Sequence, residues 1–375
     1  MPKYLTLDDV DVSGQKVLVR SDLNVPLEGA EIADDFRIRA ALPTLERLVE
    51  AGADVTVCSH LGRPEGEDPS LSLRPVAEAM AAMTELDVGF ESGGDINVLE
   101  NTRFDEGETS NDDATAKKLA DGFDLFVQDA FGSVHRAHAS TVGVAELVES
   151  VAGPLLDKEL RSLGRFLTDT ERPYTVVLGG AKVSDKLAVI ENLLPRVDRM
   201  LIGGGMCFTF LAALGHNVGD SLVEESMMDE VAGLADDDRI ALPTDVVIAD
   251  SFSEDAQSAI AVVSEIPDGW MGLDIGTDTA IDFANLIEDS ASVFWNGPMG
   301  VFEWEAYRNG TELVARALAD CEGFTAVGGG DSAAALSMLG LEDTVSHLST
   351  GGGAGLELLE GKILPGVAVL ERWVE

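Results

Sequence analysis

Positive charge is scarce in this chain. Its 375 residues include 25 Lys and Arg against 68 Asp and Glu, which gives a formal net charge of −43. Such a charge repels nucleic acid and anionic membranes, so neither is expected as a partner. An anionic substrate would need a local cluster of basic side chains. The acidic residues are spread over most polar segments, a pattern suited to high salt, where screening weakens their mutual repulsion.

Cysteines and long apolar runs are also few. Cys58, Cys207 and Cys321 stand far apart in apolar contexts, which excludes a paired zinc or redox motif and predicts buried thiols. The sequence has neither a signal peptide nor an apolar run of about 18 residues, so we expect a soluble, cytoplasmic protein. With 375 residues and 45% hydrophobic composition, the chain is long enough for two domains.

Short apolar runs alternate along the chain with segments of helical period. The apolar runs predict strands at 16–20, 54–59, 124–128, 174–178, 199–202, 291–295 and 324–328. The segments "RIRAALPTLERLVEAG" and "LRPVAEAMAAM" have the spacing of amphipathic helices that cover a sheet. This alternation predicts an α/β protein with two doubly wound, Rossmann-like domains built on parallel sheets.

Residues 153–172 are expected to form a helix and hinge between the two domains. Pro154 can begin a helix, and four leucines then recur at intervals of three or four residues. We therefore predict a first domain at 1–152 and a second at 173–363. The tail 364–375 is apolar enough to pack on folded protein, and we expect it to return to the first domain.

Arginines follow the predicted strands in the first half of the chain. The segments "VRSDLNVP", "CSHLGRP", "LENTRF" and "QDAFGSVHRAHAS" carry Arg20, Arg63, Arg103 and Arg136, and Arg37 begins the next helix. Because ligands of open α/β sheets bind outside the carboxyl ends of the strands, we expect these arginines to converge. Guanidinium groups bind phosphate and carboxylate through paired hydrogen bonds. The pattern predicts a small ligand with more than one anionic group.

Three of the five histidines lie in the same segments, at His60, His135 and His138. His135 and His138 are candidates for general acids. Polar support of the arginines would explain both residues equally well, and the sequence leaves the two interpretations open.

Glycines follow the predicted strands in the second half of the chain. They occur in "LGGAKVSDK", "LIGGGM", "FWNGPMGVFE", "AVGGGDSAA" and "STGGGAG". Glycine lets backbone N–H groups approach phosphate oxygens, although tight turns between strands and helices use glycine too. Five such segments favour an extended phosphate-bearing ligand such as a nucleotide. None of them fits G-x-x-x-x-G-K-[ST] or G-x-G-x-x-G.

Two lysines and one aspartate are candidates for contact with phosphate or metal. Lys182 and Lys186 are four residues apart, which predicts that they share one face of a helix and reach the same phosphates. A surface ion-pair role is the alternative, although no other lysine occurs from 187 to 361. Asp331 directly follows three glycines and could hold a magnesium ion that bridges phosphates. As a simple helix N-cap it would need no metal.

These segments together resemble one known family, the phosphoglycerate kinases. The resemblance rests on "RSDLNVP", "SHLGRP", "DAFGSVHRAH", "GGAKVSDK", "GGGMCFTF", "WNGPMGVFEWEA", "GGGDSAAA" and "STGGGAGLELLEGK" and covers nearly the whole chain. It implies a monomeric enzyme that transfers a phosphoryl group reversibly between 1,3-bisphosphoglycerate and ADP, giving 3-phosphoglycerate and ATP, with Mg²⁺ as cofactor. The first domain would bind the triose substrate and the second the nucleotide, and the domains would close over the cleft. The acidic composition suggests a halophilic, haloarchaeal-type member.

The resemblance also implies the residues of each site. The triose site would comprise Arg20, Asp22, Leu23, Asn24, Arg37, His60, Leu61, Gly62, Arg63, Arg103 and Arg136. The nucleotide site would comprise Gly180, Ala181, Lys182, Lys186, Gly205, Asn296, Pro298, Glu303, Gly328, Gly329, Gly330, Asp331 and Ser332. The residues implied at the transferring phosphoryl group are Arg37, Lys182, Gly330 and Gly352, and Asp331 is implied at the magnesium ion. The residues that contact adenine, between 206 and 290, stay undetermined.

Two other functions are weighed against this one. A non-catalytic sensor of nucleotides or other polyanions could use the same scaffold, but it would tolerate loss of Lys182 or Asp331, and both are present. A nicotinamide-dependent dehydrogenase needs a dinucleotide fingerprint with an acidic residue about 20 positions further on, and no segment fits it. Formation of ATP from ADP and 1,3-bisphosphoglycerate would separate the three.

Overall fold

The computed structural model describes residues 3–29, 31–168 and 170–374. The described residues fall into two compact units. Unit 1 contains the described parts of Met1–Arg161, Gly353–Leu358 and Lys362–Glu375, and unit 2 contains the described parts of Ser162–Gly352 and Leu359–Gly361. The unit boundary at residue 161 lies inside the segment 153–172. Residue 169 of that segment and residue 375 of the predicted tail lie outside the described residues.

The strands and helices alternate along both units. The strands are β1 Lys16–Arg20, β2 Leu27–Glu28, β3 Glu31–Ile32, β4 Asp54–Cys58, β5 Val88–Phe90, β6 Ile96–Val98, β7 Leu125–Gln128, β8 Glu149–Ala152, β9 Tyr174–Leu178, β10 Arg199–Ile202, β11 Ile240–Ala241, β12 Asp245–Ala249, β13 Ser258–Val262, β14 Met271–Ile275, β15 Ser292–Asn296, β16 Phe324–Gly328 and β17 His347–Leu348. The helices are α1 Phe36–Glu50, α2 Arg74–Met83, α3 Asp113–Ala120, α4 Val144–Leu147, α5 Pro154–Gly164, α6 Leu187–Leu193, α7 Cys207–Ala213, α8 Met228–Ala235, α9 Thr277–Glu288, α10 Asn309–Asp320, α11 Gly330–Leu339, α12 Gly353–Leu359 and α13 Pro365–Ala368. Within the described ranges, no helix is long and apolar enough to cross a membrane.

Unit 1 is built on a parallel sheet with the strand order β5-β6-β4-β1-β7-β8. The central strand β1 is buried along its length after Lys16, as expected for a strand covered on both faces. Val17 and Val19 of β1 share one apolar core with Ile38 of α1 and Met80 of α2. The strand order reverses between β1 and β7, so the crevice for a ligand is expected at the carboxyl ends of these strands.

Unit 2 has a second parallel sheet, with the order β11-β10-β9-β15-β16-β17. Counted in chain order, these strands read 3-2-1-4-5-6, the arrangement of dinucleotide-binding folds, with the reversal between β9 and β15. Val177, Trp295 and Val327 from three adjacent strands pack in its core. A smaller antiparallel sheet, β13-β12-β14, belongs to the same unit.

The predicted fold class is confirmed, and each of the seven predicted strands is present with its ends shifted by at most one residue. Both predicted covering helices are also present, as α1 and α2. The antiparallel sheet was not predicted: β13 exposes most of its residues, and β12 was missed although it is mostly buried and contains the apolar run VVIA. The strands β2, β3, β5, β6, β11 and β17 were missed because two or three residues give too little periodicity, and the four-residue strand β8 was missed as well.

The helix expected near Pro154 is α5, and it continues into a 3₁₀ turn at Arg165–Leu167. Asp129, one residue beyond β7, satisfies the free N–H groups at its start. One oxygen of Asp129 accepts hydrogen bonds from Leu155 N and Leu156 N at 2.8 and 3.0 Å. The sequence therefore anchors this helix directly to the strand-end edge of the first sheet.

The C-terminal residues of the chain make defined contacts within unit 1. The indole N–H of Trp373 donates to the carbonyl of Ala145 at 2.8 Å. Gly366 N donates to the carbonyl of Val134, also at 2.8 Å. The apolar tail thus packs on the helices that follow β7.

The cysteines carry no disulfide. Cys58 and Cys207 are fully buried, as expected, and Cys321 is half-buried. Burial raises the pKa of Cys58 to about 12, so this thiol stays protonated at neutral pH.

Candidate functional site

Asp22 and Arg37 form an ion pair at the carboxyl edge of the first sheet. Nη1 of Arg37, in the first turn of α1, lies 2.5 Å from Oδ2 of Asp22, which follows β1. Burial acts to raise the pKa of Asp22, but the charges of Arg37 and Arg20 and a hydrogen bond from Asn24 N at 3.3 Å hold it below its usual value. The carboxylate is therefore ionised at neutral pH and fixes the guanidinium group over the strand ends.

His60 follows β4 and is neutral. Burial, and then the charge of Arg20, lower its pKa well below the usual value. Nη2 of Arg20 lies 3.0 Å from Nδ1 of His60. Because arginine can only donate, Nδ1 must accept this bond, and the single ring proton is on Nε2. The Nε2–H group is then a donor for an oxygen atom.

Arg20 is fully buried below the strand-end edge. Its Nε donates to Ser140 Oγ at 2.9 Å. Its terminal nitrogens donate to the carbonyl of Ser21, to Ser59 Oγ at 3.4 Å, to Ser133 Oγ at 3.5 Å and to His60. Every N–H group thus points at an acceptor of the protein, an arrangement suited to holding neighbouring side chains rather than to touching a ligand.

Three further arginines, Arg63, Arg103 and Arg136, line a cavity of 590 Å³ together with His138. Among the described residues, none of these guanidinium groups forms an ion pair with a carboxylate. Nη1 of Arg103 donates to the carbonyl of Gly62 at 2.5 Å, but its Nε is buried without a partner. Burial, and then Arg136, lower the pKa of Arg103 to about 10. Glu65, Asp105 and Glu106 also line the cavity, but among the described residues none of them forms an ion pair with these arginines, so the guanidinium groups remain free to bind an anion.

The two remaining histidines of this region favour a supporting role. Nε2 of His135 accepts a hydrogen bond from Nε of Arg136 at 3.0 Å, and burial lowers the pKa of His135. Burial lowers the pKa of His138 to about 4, although Glu108 acts to raise it. Both rings are neutral at pH 7, which favours support of the arginines over general acid catalysis.

Asparagines join the loops that carry these side chains. Oδ1 of Asn24 accepts from Gly62 N at 2.8 Å, which links the loops after β1 and β4. Asn101 bonds to both backbone groups of Leu61, at 3.2 and 2.7 Å. The side chains of Leu23 and Leu61 are buried in the core, so these two residues present only their backbone to the site. Sequence reasoning missed Asn101, although it stands two residues before Arg103.

The glycine turns of unit 2 pack directly against one another. A Cβ on Gly204 would lie 2.6 Å from Gly180 N and 2.8 Å from the carbonyl oxygen of Pro298. Gly180 N donates to that same carbonyl at 2.9 Å, and Gly204 N donates to Met299 O at 3.0 Å. At Gly204 the need for a tight turn explains the glycine.

Packing does not explain the glycine at the start of α11. Gly329 has a φ of 95°, which requires glycine, but a Cβ on Gly330 would meet no atom within 4 Å. Open space therefore lies before this helix N-terminus. Asp331 stands in the first turn, exposed, and makes no side-chain capping bond, so it is not an N-cap. Ser332 Oγ accepts from Gly297 N at 2.6 Å and ties α11 to the end of β15.

Lys186 lies beside the ends of β9, β15 and β16. Its ammonium group donates to Oδ1 of Asn296, and Nδ2 of Asn296 donates to the carbonyl of Gly328 at 2.6 Å. Burial lowers the pKa of Lys186, while Asp185 and Asp331 act to raise it. The charge of a half-buried lysine is thus directed into the crevice of unit 2.

The prediction that Lys182 and Lys186 share a helix face is wrong. Helix α6 begins at Leu187, and Lys186 is the residue before it, with a φ of −123°. Lys182 lies in an exposed segment after Gly180, whose φ is 104°. Val183 is buried and its carbonyl accepts from Lys186 N at 2.8 Å, so the chain makes a turn here instead of a helix.

The other predicted residues of unit 2 vary in their placement. Ala181 and Glu303 are exposed, Gly205 and Pro298 are half-buried, and Gly352 has a φ of 50°. The magnesium prediction involves one carboxylate, and among the described residues no three His, Cys, Asp or Glu side chains are grouped to hold a metal. The exposed Asp331 fits an ion of which most ligands come from phosphates and water, as magnesium often has.

Comparison with known proteins identifies the family. A family model described as phosphoglycerate kinase matches residues 7–362. The phosphoglycerate kinase of Rhodococcus opacus (strain B4) is 54% identical, with 98% of this chain and 99% of that protein covered. The one of Frankia alni is 51% identical with the same coverage. The solved structure of phosphoglycerate kinase from Coxiella burnetii has a TM-score of 0.91 at 38% identity and covers 100% of both chains. The chain belongs to the phosphoglycerate kinase family.

Proposed function

We propose that unit 1 binds 3-phosphoglycerate or 1,3-bisphosphoglycerate and that unit 2 binds the magnesium complex of ADP or ATP. The phosphoryl group passes reversibly between the carboxyl group of the triose and the β-phosphate of ADP. The observation that carries the triose assignment is the cavity bordered by Arg63, Arg103 and Arg136. These three guanidinium groups form no ion pair with a carboxylate although the chain has a net charge of −43, and they are therefore suited to paired hydrogen bonds with an anionic ligand.

The triose ligand has two anionic ends and a hydroxyl group, and the residues of unit 1 match these groups. The arginines around the cavity are suited to a phosphate or a carboxylate. The Nε2–H group of His60 is suited to a carboxylate or hydroxyl oxygen. Arg37, held by Asp22, stands at the strand ends and is proposed to meet the transferring phosphoryl group.

The nucleotide phosphates are proposed to lie at the strand ends of unit 2, near Lys186. Open space before Gly330 would let backbone N–H groups approach phosphate oxygens, and the N-terminus of α11 adds favourable partial charge. Asp331 would hold the Mg²⁺ ion, which supplies charge neutralisation to the phosphates when bound. Lys182 and Gly352 are proposed near the transferring group, as the family resemblance implies. The resemblance also places Glu303 at the position that contacts the ribose of the nucleotide.

Phosphoryl transfer asks the protein mainly for positioning and charge neutralisation, without a covalent intermediate. We propose that closure of the two units aligns the bound acyl phosphate with the nucleotide. Closure would also exclude water, which would otherwise hydrolyse the acyl phosphate. The segment 153–172 is the proposed hinge, and the proposed domains are 1–152 with the tail 364–375, and 173–363.

We also propose that the enzyme acts as a cytoplasmic monomer and works best at high salt. The net charge of −43 supports the salt dependence, since screening reduces repulsion among surface carboxylates. The same charge opposes binding to nucleic acid and to anionic membranes. The relatives named above are bacterial, and the haloarchaeal part of the expectation gains no support from them.

Titration calorimetry with 3-phosphoglycerate tests the triose site. Arg136→Met should weaken binding at least about tenfold, because it removes a charge-assisted contact to the ligand. Arg47→Met is the matched control, since it also removes an arginine but loses only an exposed ion pair to Asp8 at 2.6 Å. Wild-type affinity in the Arg136 variant would contradict the assignment of this cavity.

A further inference from the structure

A fully buried carboxylate, Glu108, lies near the cavity lined by Arg63, Arg103 and Arg136. It is 0% exposed and belongs to the loop between Arg103 and α3. Nδ1 of His138 lies 3.9 Å from its Oε1. A negative charge at this position opposes binding of an anionic ligand. Its presence therefore calls for a function that outweighs the repulsion.

The contacts of Glu108 are directed at one short turn. Its Oε2 accepts from Ser140 N at 3.0 Å, and its Oε1 accepts from Ser140 Oγ at 2.5 Å. Its backbone carbonyl accepts from Ala139 N at 2.9 Å. These contacts hold the first residues of a π-helical turn, Ala139–Gly143, a rare conformation that often occurs at functional sites.

The hydroxyl group of Ser140 forms hydrogen bonds to both Glu108 and Arg20. It donates to Glu108 and accepts from Nε of Arg20 at 2.9 Å, so its single proton and one lone pair are both used. The far side of the same guanidinium group donates to Nδ1 of His60 at 3.0 Å. A continuous chain of hydrogen bonds thus runs from Glu108 through Ser140 and Arg20 to His60.

The direction of each bond in this chain is fixed. The carboxylate can only accept and the guanidinium group can only donate, so the chain leaves Nδ1 of His60 as an acceptor. Glu108 and Arg20 are both fully buried and make no direct ion pair among the described residues. The serine therefore couples two opposite charges that are each costly to bury alone.

We propose that Glu108, acting through Ser140, is a positioning residue of the triose-phosphate site. It fixes the guanidinium plane of Arg20, and Arg20 in turn holds His60 neutral with its proton on Nε2, ready to donate to an oxygen of the ligand. This inference rests on the proposed triose site. It gives Arg20 and Glu108 a role through His60 instead of through direct contact with the substrate.

Ser140→Ala tests the chain with the loss of one oxygen atom and no change in charge. Two-bond proton–nitrogen correlation spectra of the histidine rings report the tautomer, and the His60 signals are assigned by their loss in His60→Gln. The wild type should show the proton of His60 on Nε2, and the variant should show a mixture of tautomers. KM for 3-phosphoglycerate should rise about tenfold, while KM for Mg-ATP stays within about twofold.

Glu108→Gln separates positioning from simple electrostatics. Removal of the negative charge makes the cavity more positive, so a purely electrostatic role predicts tighter binding and a lower KM for 3-phosphoglycerate. Positioning predicts a higher KM, together with the loss of a single His60 tautomer. Thr102→Val is the matched control, because the side chain of Thr102 donates to the same carboxylate at 3.3 Å but, among the described residues, makes no hydrogen bond to Ser140, Arg20 or His60. It should keep the wild-type tautomer and KM.

Three results would overturn the proposal: a wild-type His60 protonated on Nδ1, an unchanged tautomer and KM in Ser140→Ala, or a lower KM in Glu108→Gln. Should Glu108→Gln fail to fold, Ser140→Ala decides alone. The tautomer is read in the free protein. A wild type that does not bind 3-phosphoglycerate would contradict the proposed triose site, and the spectra would still decide whether Glu108 positions His60.

Discussion

The ammonium group of Lys186 donates a hydrogen bond to the side-chain oxygen of Asn296. Asn296 ends β15, whereas Lys186 belongs to the turn after β9, so one bond joins the two strands between which the order of the second sheet reverses. Neither Lys186 nor Lys182 forms an ion pair among the described residues. This arrangement favours phosphate binding over a surface ion-pair role.

Substitution of the two lysines should therefore affect nucleotide use. Lys186→Met should weaken Mg-ADP binding, because its half-buried charge faces the crevice. Lys182→Met should lower kcat more than it lowers the affinity for Mg-ADP, because the charge of Lys182 is proposed to follow the phosphoryl group during transfer. Titration calorimetry and steady-state kinetics of both variants measure these effects. Unchanged affinity and kcat in both variants would instead show that neither lysine contacts the nucleotide.

Gly330→Ala should separate function from stability. The added methyl group meets no atom within 4 Å, and alanine has a higher helix propensity than glycine. The free energy of unfolding should therefore stay equal or rise by up to about 1 kcal/mol, and the melting temperature should not fall. Activity should fall, because the methyl group occupies space proposed for the transferring phosphate. Thermal unfolding and kinetics on the same preparation test this. A variant with full activity would show that the space before α11 is not used.

Arg37→Ala should abolish turnover and leave nucleotide binding nearly intact. Loss of a charge contact that strengthens in the transition state should raise the activation free energy by about 3 to 4 kcal/mol. Arg39→Ala is the control on the same helix, since Arg39 is exposed and pairs only with Asp35 at 2.8 Å. The expected loss of kcat is therefore several hundredfold, and retention of more than about a tenth of the wild-type kcat in Arg37→Ala would remove Arg37 from the catalytic residues.

The buried histidine His138 should make the fold sensitive to acid. Burial lowers its pKa from 6.5 to about 4 in the folded protein. Its contribution to stability is thus present above pH 6.5 and is lost as pH falls toward 4, because the unfolded chain binds the proton first. His138→Asn should lose less stability between pH 7 and pH 4.5 than the wild type, by thermal unfolding. An equal loss in both proteins would exclude His138 as a cause.

Salt should stabilise the protein. At a net charge of −43, repulsion among carboxylates grows as screening weakens, so the fold and activity should decline on dilution from molar salt. Circular dichroism and thermal unfolding across a salt titration measure the decline. A spectrum and melting temperature that do not change at low salt would show that the acidic surface does not set a salt requirement.

Sequence patterns predicted the central strands because these are buried on both faces and read as short apolar runs. They did not predict β13, since its exposed Ile260 and Val262 give no such run. They also placed Lys182 and Lys186 on one helix, although residue spacing alone cannot reveal that Val183 anchors a turn. A spacing of four residues places two side chains on one face only if the segment between them is helical.

The sequence predicted the candidate site from residues whose chemistry is recognisable by type and position, chiefly the arginines that follow the strands. The buried polar residues that orient them were missed, because Glu108 and Ser140 look like ordinary loop residues. A signal was available in their neighbours, since Ser140 stands two positions after His138 and Ser59 directly precedes His60. The bonds that join these residues connect distant parts of the chain, and only the fold reveals them.

The most direct test of the assigned activity is a coupled assay of ATP formation. The purified chain, with Mg²⁺ and ADP at high salt, should form ATP when 1,3-bisphosphoglycerate is supplied, and ATP should not form when either substrate is left out. Arg37→Ala should remove the activity, and Arg39→Ala should retain it. Binding of both ligands without ATP formation would contradict the account and would favour a non-catalytic sensor on the same scaffold.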